Sequence, residues 1–534
     1  MGCFIGRLCA GNFQLSIVKN NKNQGGCKKM SYQETYKKWC TDPYFDAQTQ
    51  EELKNLEGNE KEIEDCFYRQ LEFAREATLC LNANGIHTYL FESLRPTPEL
   101  SFAVRELGCI AGIVITASHN PREYNGYKVY WEDGAQITPP HDKNILAEVA
   151  KVTDFSMVKT MEEDEARAEN LFSIIGTDFD DKYIAQLKKQ SIHPEAAKDM
   201  KIVYTPLHGT GNIPVRRVLR ELGFTQVYVV EEQKVPDGNF PTVPYPNPED
   251  KNAWTLALEL AKKVDADIIL ATDPDADRLG VHAKDTKTGE YVSFTGNMSG
   301  MLIAEYILRE RTKTGTMPEN PALVETIVTT DMAKAVAKEY NTALIEVLTG
   351  FKYIGEQIRL FDETGSHHYV FGLEESYGCL AGTYARDKDA PVAVMMLCEV
   401  AAYYKLQGKT LWDAMVELYE KYGYYKEDLA TVTLKGIDGS QKITAMMNAF
   451  RENPPKELGG FKVLACRDYK SDCRRDMITG ETTSTGLPTS NVLYYELENN
   501  AWCCVRPSGT EPKIKYYFGV KGENFKDAEE KLEA

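Results

Sequence analysis

The sequence predicts an α/β protein of three to four layered domains that closes in an α+β domain, and three observations carry that reading. The chain has 534 residues, 43% hydrophobic and 10% aromatic, a globular composition long enough for several cores. From about residue 82 onward, short β-rich runs alternate with amphipathic helices, the pattern of α/β layers. Beyond Gly423 the pattern changes to long alternating strands with few helices.

Taken in order, residues 49–81 are charged and helical in pattern, and strands are predicted at 88–91, 112–115, 202–205, 226–230 and 267–271. Helices fall between them, for example at 214–222 and 253–263. The stretch 236–248 holds five prolines and is predicted as an extended surface loop. Residues 313–321 punctuate the chain between a helix at 299–311 and a strand at 323–329. In the last domain strands are expected at 424–434 and within 492–518, with helices at 440–453 and from 524 onward. These breaks set domains at 30–195, 196–312, 313–423 and 424–534, preceded by an atypical extension over 1–29. That extension lacks a sustained apolar core and an Ala-x-Ala-like cleavage site, so it makes a poor secretory signal, and Met30 is the better start. Gly6 stands where an acylation signal needs Ser or Thr.

The formal charge of −18 argues against nucleic acid as a partner, which needs clustered cations. The longest near-uncharged apolar run, 109–117, falls short of the roughly 20 residues of a membrane span. Thirteen cysteines without a CxxC pair read as reduced thiols of a cytoplasmic protein. Cys503 and Cys504 are predicted to face opposite sides of one strand.

Four motifs carry chemistry. Thr116-Ala117-Ser118-His119-Asn120-Pro121 follows an apolar strand and presents a serine hydroxyl, although alone such a run is more often a plain strand-to-loop junction than a nucleophile. Asp273-Pro274-Asp275-Ala276-Asp277-Arg278 places three carboxylates at alternate positions after a strand. In an extended loop they face one way, and a hard divalent cation resolves their repulsion, Mg²⁺ fitting phosphate chemistry best. The plainer reading is a solvated acidic turn. Gly372-Leu373-Glu374-Glu375-Ser376-Tyr377-Gly378 sets paired carboxylates beside a hydroxyl, which suits sugar hydroxyls. Arg506-Pro507-Ser508-Gly509-Thr510-Glu511-Pro512 joins two strands and has a phosphate clamp's composition, a guanidinium fork, hydroxyls and freed amides, to which Lys515 adds charge if it faces the same way. A polar hairpin turn is the alternative. The loop 205–211 offers a weaker Gly-x-Gly signal, more often a packing turn, with His208 at even odds of touching the site.

In this order, the four motifs resemble those of the α-D-phosphohexomutases, the phosphoglucomutases and phosphomannomutases. The form of the Glu374 loop and of Thr349-Gly350-Phe351-Lys352-Tyr353-Ile354-Gly355 is most similar to the branch of bacterial phosphoglucomutases and phosphopentomutase-like enzymes. The resemblance implies four domains around a cleft, three related α/β domains and a fourth α+β domain. It implies that Ser118 carries a phosphoryl group and also ligates the metal, that Asp273, Asp275 and Asp277 bind Mg²⁺, that Glu374 and Ser376 bind sugar hydroxyls, and that Arg506, Ser508, Gly509 and Thr510 hold the non-reacting phosphate. Arg278 would stabilise the transferring charge, His119 or Lys128 would move the hydroxyl proton, and Lys352 would line the cleft. The implied reaction interconverts glucose 1-phosphate and glucose 6-phosphate through a phosphoserine and a 1,6-bisphosphate, with glucose 1,6-bisphosphate as activator. Partners are small sugar phosphates, without nucleic acid or membrane, and the chain is expected as a monomer or weak dimer.

One departure from the family pattern stands out. The family opens its first domain with a Gly-Thr-Ala/Gly-Gly-Leu-Arg-Gly loop, a long helix and a strand ending in Tyr/Gly-Asp-Ser-Arg, and none of these is present. Phe67 to Phe73 resembles the residues before that loop and runs directly into Ala74-Arg75-Glu76-Ala77, which resembles the helix after the missing strand. Loss of a core strand and its helix predicts an unpaired sheet edge and a rearranged first domain. Two carboxylates cannot identify the sugar's epimer, so phosphomannomutase or phosphopentomutase activity is an alternative, and the missing segment adds a catalytically impaired sugar-phosphate-binding remnant or a phosphatase in which water reaches the phosphoserine.

Overall fold

The computed structural model describes residues 71–534 apart from 123, 197–198, 435 and 509–512. The extension 1–29, the segment 67–70 and two of the proposed clamp residues, Gly509 and Thr510, therefore lie outside the described residues.

The first α/β region lacks a continuous sheet among the described residues. Thr88–Phe91 pairs in parallel with Phe172–Ile175, and Ala111–Ile115 pairs separately with Tyr127–Trp131 in an antiparallel ribbon. Each ladder is two strands wide, so few of their side chains are buried, and Tyr89 and Ile174 are 41% and 43% exposed. This fits a layer that has lost a strand from its middle, because a pleated strand is covered only when neighbours and helices flank it.

The second region carries a five-stranded sheet in the order Gln226–Val229, Lys201–Thr205, Ile268–Thr272, Leu279–Lys284, Tyr291–Phe294. Its centre, Ile-Ile-Leu-Ala-Thr, is buried at every position, as a strand covered on both faces must be. The proline-rich stretch contains no helix, as expected. The third region has four strands, Ala343–Val347, Pro321–Thr326, His368–Glu374 and Gly378–Ala381, with the helices Gly296–Thr314 and Ala390–Lys405 packed against it. Ala390–Lys405 is buried nearly all round and ties the second and third regions into one apolar core.

The last region is an eight-stranded antiparallel sheet whose long ribbon pairs Tyr424–Thr433 with Lys513–Gly522. Cys503 and Cys504 lie in adjacent positions of Trp502–Pro507 and enter two different buried clusters, one on each face, as the alternation predicts. Here the α+β expectation holds: the helices Gly436–Glu452 and Phe525–Glu533 accompany the antiparallel strands. No described helix is long and apolar enough to cross a membrane.

Candidate active site

The aspartate loop begins where the most deeply buried strand of the second region ends. Ala276 takes a left-handed conformation (φ 51°), which curls the loop so that the Asp277 and Arg278 amides donate to Asp273 Oδ1 at 3.1 and 3.0 Å. Asp273, Asp275 and Asp277 are all buried, and their ligand atoms lie within 4.8 Å of one another. Asp275 Oδ1 and Asp277 Oδ1 are buried without a hydrogen-bond partner. Orphaned carboxylate oxygens are costly in a protein interior, and oxygen donors of this kind fit a hard divalent cation. Burial, then the charges of Asp277 and Asp275, push the Asp273 carboxyl well above the usual carboxylate range. Burial and Asp277 oppose ionisation of Asp275 as well, yet the Lys128 ammonium outweighs them and holds it low.

Two lysines face this triad. Lys128 Nζ lies 2.9 Å from Asp275 Oδ2 and 3.3 Å from Asp277 Oδ2, and Lys388 Nζ lies 2.9 Å from Asp277 Oδ2. Although burial works against their charge, Asp275 and Asp277 hold Lys128 protonated, and Asp277 does the same for Lys388. Lys388 escaped the sequence reading. Its signal was the charged run Arg386-Asp387-Lys388-Asp389, which resembles a solvated loop, but Lys388 is largely enclosed beside Gly378, where a Cβ would strike its Cδ at 2.3 Å.

Ser118 reaches the same place from the far end of Ala111–Ile115. It adopts a positive φ of 52°, held by its own amide donating to Thr116 Oγ1 at 2.8 Å, a strained turn that turns the hydroxyl outward. Its Oγ lies 3.1 Å from His119 Nδ1 and 3.4 Å from Asp273 Oδ2, across 155 positions of sequence. Burial, then Arg278, push the His119 imidazole down to about 3, so it is neutral. Thr97, at the start of the helix Thr97–Glu106, donates its amide to the Asp275 carbonyl at 2.9 Å and so fixes the first region on the aspartate loop.

A cleft of about 510 Å³ collects the remaining motifs: His119, Arg278, Glu374, Ser376, Lys388 and Arg506 all line it. Arg278 Nη1 bonds Glu249 Oε1 at 3.1 Å, so the proline-rich loop delivers a carboxylate to the cleft wall. Glu374 is buried at the end of His368–Glu374, and burial raises its carboxyl above the usual range; burial and Glu374 lift Glu375 to about 7. Arg506 stands opposite Lys515 in the ribbon register and both line the cleft, so the two cations share a face. The Ser508 amide donates to the Lys513 carbonyl at 2.8 Å and narrows the hairpin. Lys352 lies with its ammonium 5.1 Å from the Tyr353 ring, at the start of the helix Phe351–Thr364, and is not among the cleft's lining residues. His208 is turned away, its Nε2 2.9 Å from Thr242 Oγ1 and its Nδ1 3.2 Å from the Val235 carbonyl. Its loop acts as a packing turn: a Cβ on Gly209 would meet Pro274 Cα at 2.4 Å, and the Thr210 amide donates to the Pro274 carbonyl.

Three models of the phosphoglucomutase/phosphomannomutase family match consecutive parts of the chain: α/β/α domain I over 65–155, domain II over 181–287 and domain III over 295–422. The phosphoglucomutases of two Staphylococcus aureus strains, bovine RF122 / ET3-1 and USA300, are each 38% identical over 471 residues, 88% of this chain and 83% of theirs. The chain belongs to the α-D-phosphohexomutase family.

As a phosphohexomutase it is an isomerase of the intramolecular phosphotransferase kind. Its fold is similar to that of parafusin, a phosphoglucomutase and exocytosis-sensitive phosphoprotein of Paramecium, with a TM-score of 0.62 at 18% identity over 86% of this chain and 82% of that one. A phosphoglucomutase/phosphomannomutase family protein of Burkholderia thailandensis gives a TM-score of 0.57 at 18% identity, over 88% and 93%. The phosphohexomutase architecture thus holds for the chain, while its first region shows two separate strand pairs among the described residues.

Proposed function

We propose that this phosphohexomutase interconverts glucose 1-phosphate and glucose 6-phosphate, with Ser118 as the phosphoryl carrier. The observation that supports this most is the meeting of Ser118 Oγ, His119 and Asp273 at one wall of a cleft whose other walls supply Glu374, Ser376, Arg506 and Lys515. Phosphoserine gives up its group as its O–P bond breaks and a bond forms to the free sugar hydroxyl, which loses its proton. The resulting 1,6-bisphosphate turns over, and its other phosphoryl returns to Ser118. Arg506, Ser508, Gly509, Thr510 and Lys515 hold the phosphate that is not reacting, in either orientation. Glu374 and Ser376 accept and donate hydrogen bonds to sugar hydroxyls, and Arg278 offsets charge on the transferring group.

Asp273, Asp275 and Asp277, with the Ser118 phosphate, would hold Mg²⁺, which when bound supplies charge neutralisation to the phosphoryl oxygens. His119, in contact with Ser118 Oγ, is placed for the proton transfer. Lys128 is salt-bridged to two aspartates and holds its proton, so it suits fixing the triad's charge better than exchanging a proton. Lys352 contributes to the cleft only if its side chain swings from Tyr353. Glucose 1,6-bisphosphate serves as activator by phosphorylating Ser118, and the protein acts in the cytoplasm on small sugar phosphates as a monomer or weak dimer.

The epimer is tested by comparing kcat/KM for glucose, mannose and ribose 1-phosphates with Mg²⁺ and the matching bisphosphate. A clear preference for glucose is expected, and equal values would overturn it, leaving phosphomannomutase or phosphopentomutase activity. The split strand pairs of the first region favour one second reading, an impaired sugar-phosphate binder. Binding of glucose 6-phosphate without serine-dependent turnover would establish it.

A further inference from the structure

A second cavity, also of about 510 Å³, lies away from the cleft, between the helices Thr97–Glu106, Thr177–Lys188 and Gly296–Thr314 and the start of His368–Glu374. Its cations are Arg105 and Arg311. Arg105 spends one N–H on the Thr383 carbonyl. The guanidinium of Arg311, on the last turn of its helix and half-buried, makes no hydrogen bond or ion pair among the described residues, and its partial burial shifts it toward the neutral form. A planar five-donor guanidinium fork that reaches a polar cavity without a protein partner is matched best by an oxyanion.

The other lining groups agree. Glu106, the cavity's carboxylate, is already paired with Lys182 at 2.9 Å. Tyr369 and Tyr384 spend their hydroxyl protons on the Leu380 carbonyl and Asp389. Gln186 accepts from Lys189, and its own amide N–H groups donate to nothing among the described residues. The cavity is therefore lined by two guanidiniums together with Phe102 and Tyr369, with room for more than a bare phosphate.

We propose that this cavity binds a small phosphorylated metabolite, its phosphate on the Arg311 and Arg105 guanidiniums and its organic part against Phe102 and Tyr369. The site is built to report to the cleft. Thr97 bonds the aspartate loop at the other end of the Arg105 helix, about 12 Å away at 1.5 Å per residue. Glu374 ends the strand that starts beside the cavity, about 16 Å from Tyr369 at 3.3 Å per residue.

The test is calorimetric titration of the full chain with fructose 1,6-bisphosphate and, separately, with inorganic phosphate, comparing wild type with Arg311→Gln and Arg506→Gln. The expected result is that Arg311→Gln removes one binding site per chain, or weakens it at least tenfold, while Arg506→Gln leaves that site intact. The Arg311-dependent site should prefer the sugar bisphosphate over phosphate by tenfold or more. Should Arg311→Gln not fold, Arg311→Lys, which keeps the charge and loses the fork, is expected to weaken the same site by a smaller factor. Equal site number and affinity in wild type and a folded Arg311 variant, or equal affinity for phosphate and bisphosphate, would overturn the proposal.

Discussion

The first and second α/β regions hold the two halves of the proposed reaction centre on very different supports. The aspartates sit on a strand buried at all five positions within a five-stranded sheet. The serine follows a strand with one of five positions buried, in a ribbon that is two strands wide among the described residues. What holds the serine in place is therefore not its own sheet. It is a set of cross-region bonds, Thr97 to Asp275, Lys128 to Asp275 and Asp277, and Tyr130 to Asp387 at 2.6 Å. A narrow ladder can still place the proposed carrier serine where a wider neighbouring sheet grips it.

That comparison is broken most severely at the chemistry itself. Ser118→Ala should abolish mutase turnover, by a thousandfold or more as for loss of a covalent nucleophile, while thermal unfolding stays within about 1 kcal/mol of wild type. Asp275→Asn should come next. It removes one ligand and one half of the Lys128 pair, so Mg²⁺ affinity measured by calorimetry should fall at least tenfold, and chelation should silence the wild type reversibly.

Stability separates the two layers directly. Leu270→Ala, fully buried in the second sheet, should cost about 2–5 kcal/mol in denaturant unfolding, whereas Tyr89→Ala in the first should cost about 1 kcal/mol or less. Hydrogen exchange should agree, with the amides of Thr88–Phe91 exchanging long before those of Ile268–Thr272.

A smaller effect concerns the last domain. Glu427 accepts hydrogen bonds from Thr330 Oγ1 and from Asn297 Nδ2 at 2.5 and 3.0 Å, and burial lifts its carboxyl to about 7. A carboxyl whose folded pKa lies above its unfolded one, near 4.5, favours folding fully below that unfolded value, and the advantage is lost as pH rises toward 7. Stability should therefore decline from about pH 4.5 to 7 through this group, and Glu427→Gln should flatten part of that decline in melts taken across the range.

Much of this was legible in the sequence because its signals are local. Strand 268–272 announces itself by its uninterrupted apolar run, and three aspartates at alternate positions need no partner to be read as an oxygen cluster. The opposite faces of Cys503 and Cys504 follow from the period of two. What stayed hidden depends on tertiary placement. Lys388 lies in a run of charges that looks solvated, Glu249 in a proline-rich loop without a motif, and the Arg311 cavity draws on four elements far apart in the chain. His208 shows the converse: a histidine in a glycine-rich turn invites a functional reading, yet its two ring nitrogens are committed to Thr242 and Val235.

The central claim is that Ser118 carries the phosphoryl group on an imperfect first layer. Its most direct test is incubation of the protein with Mg²⁺ and glucose 1,6-bisphosphate followed by intact-mass and peptide mass measurement. One added phosphoryl per chain, mapped to Ser118, lost in Ser118→Ala and discharged by glucose 6-phosphate, is the predicted result. An unmodified Ser118, or labelling that persists in Ser118→Ala, would contradict it.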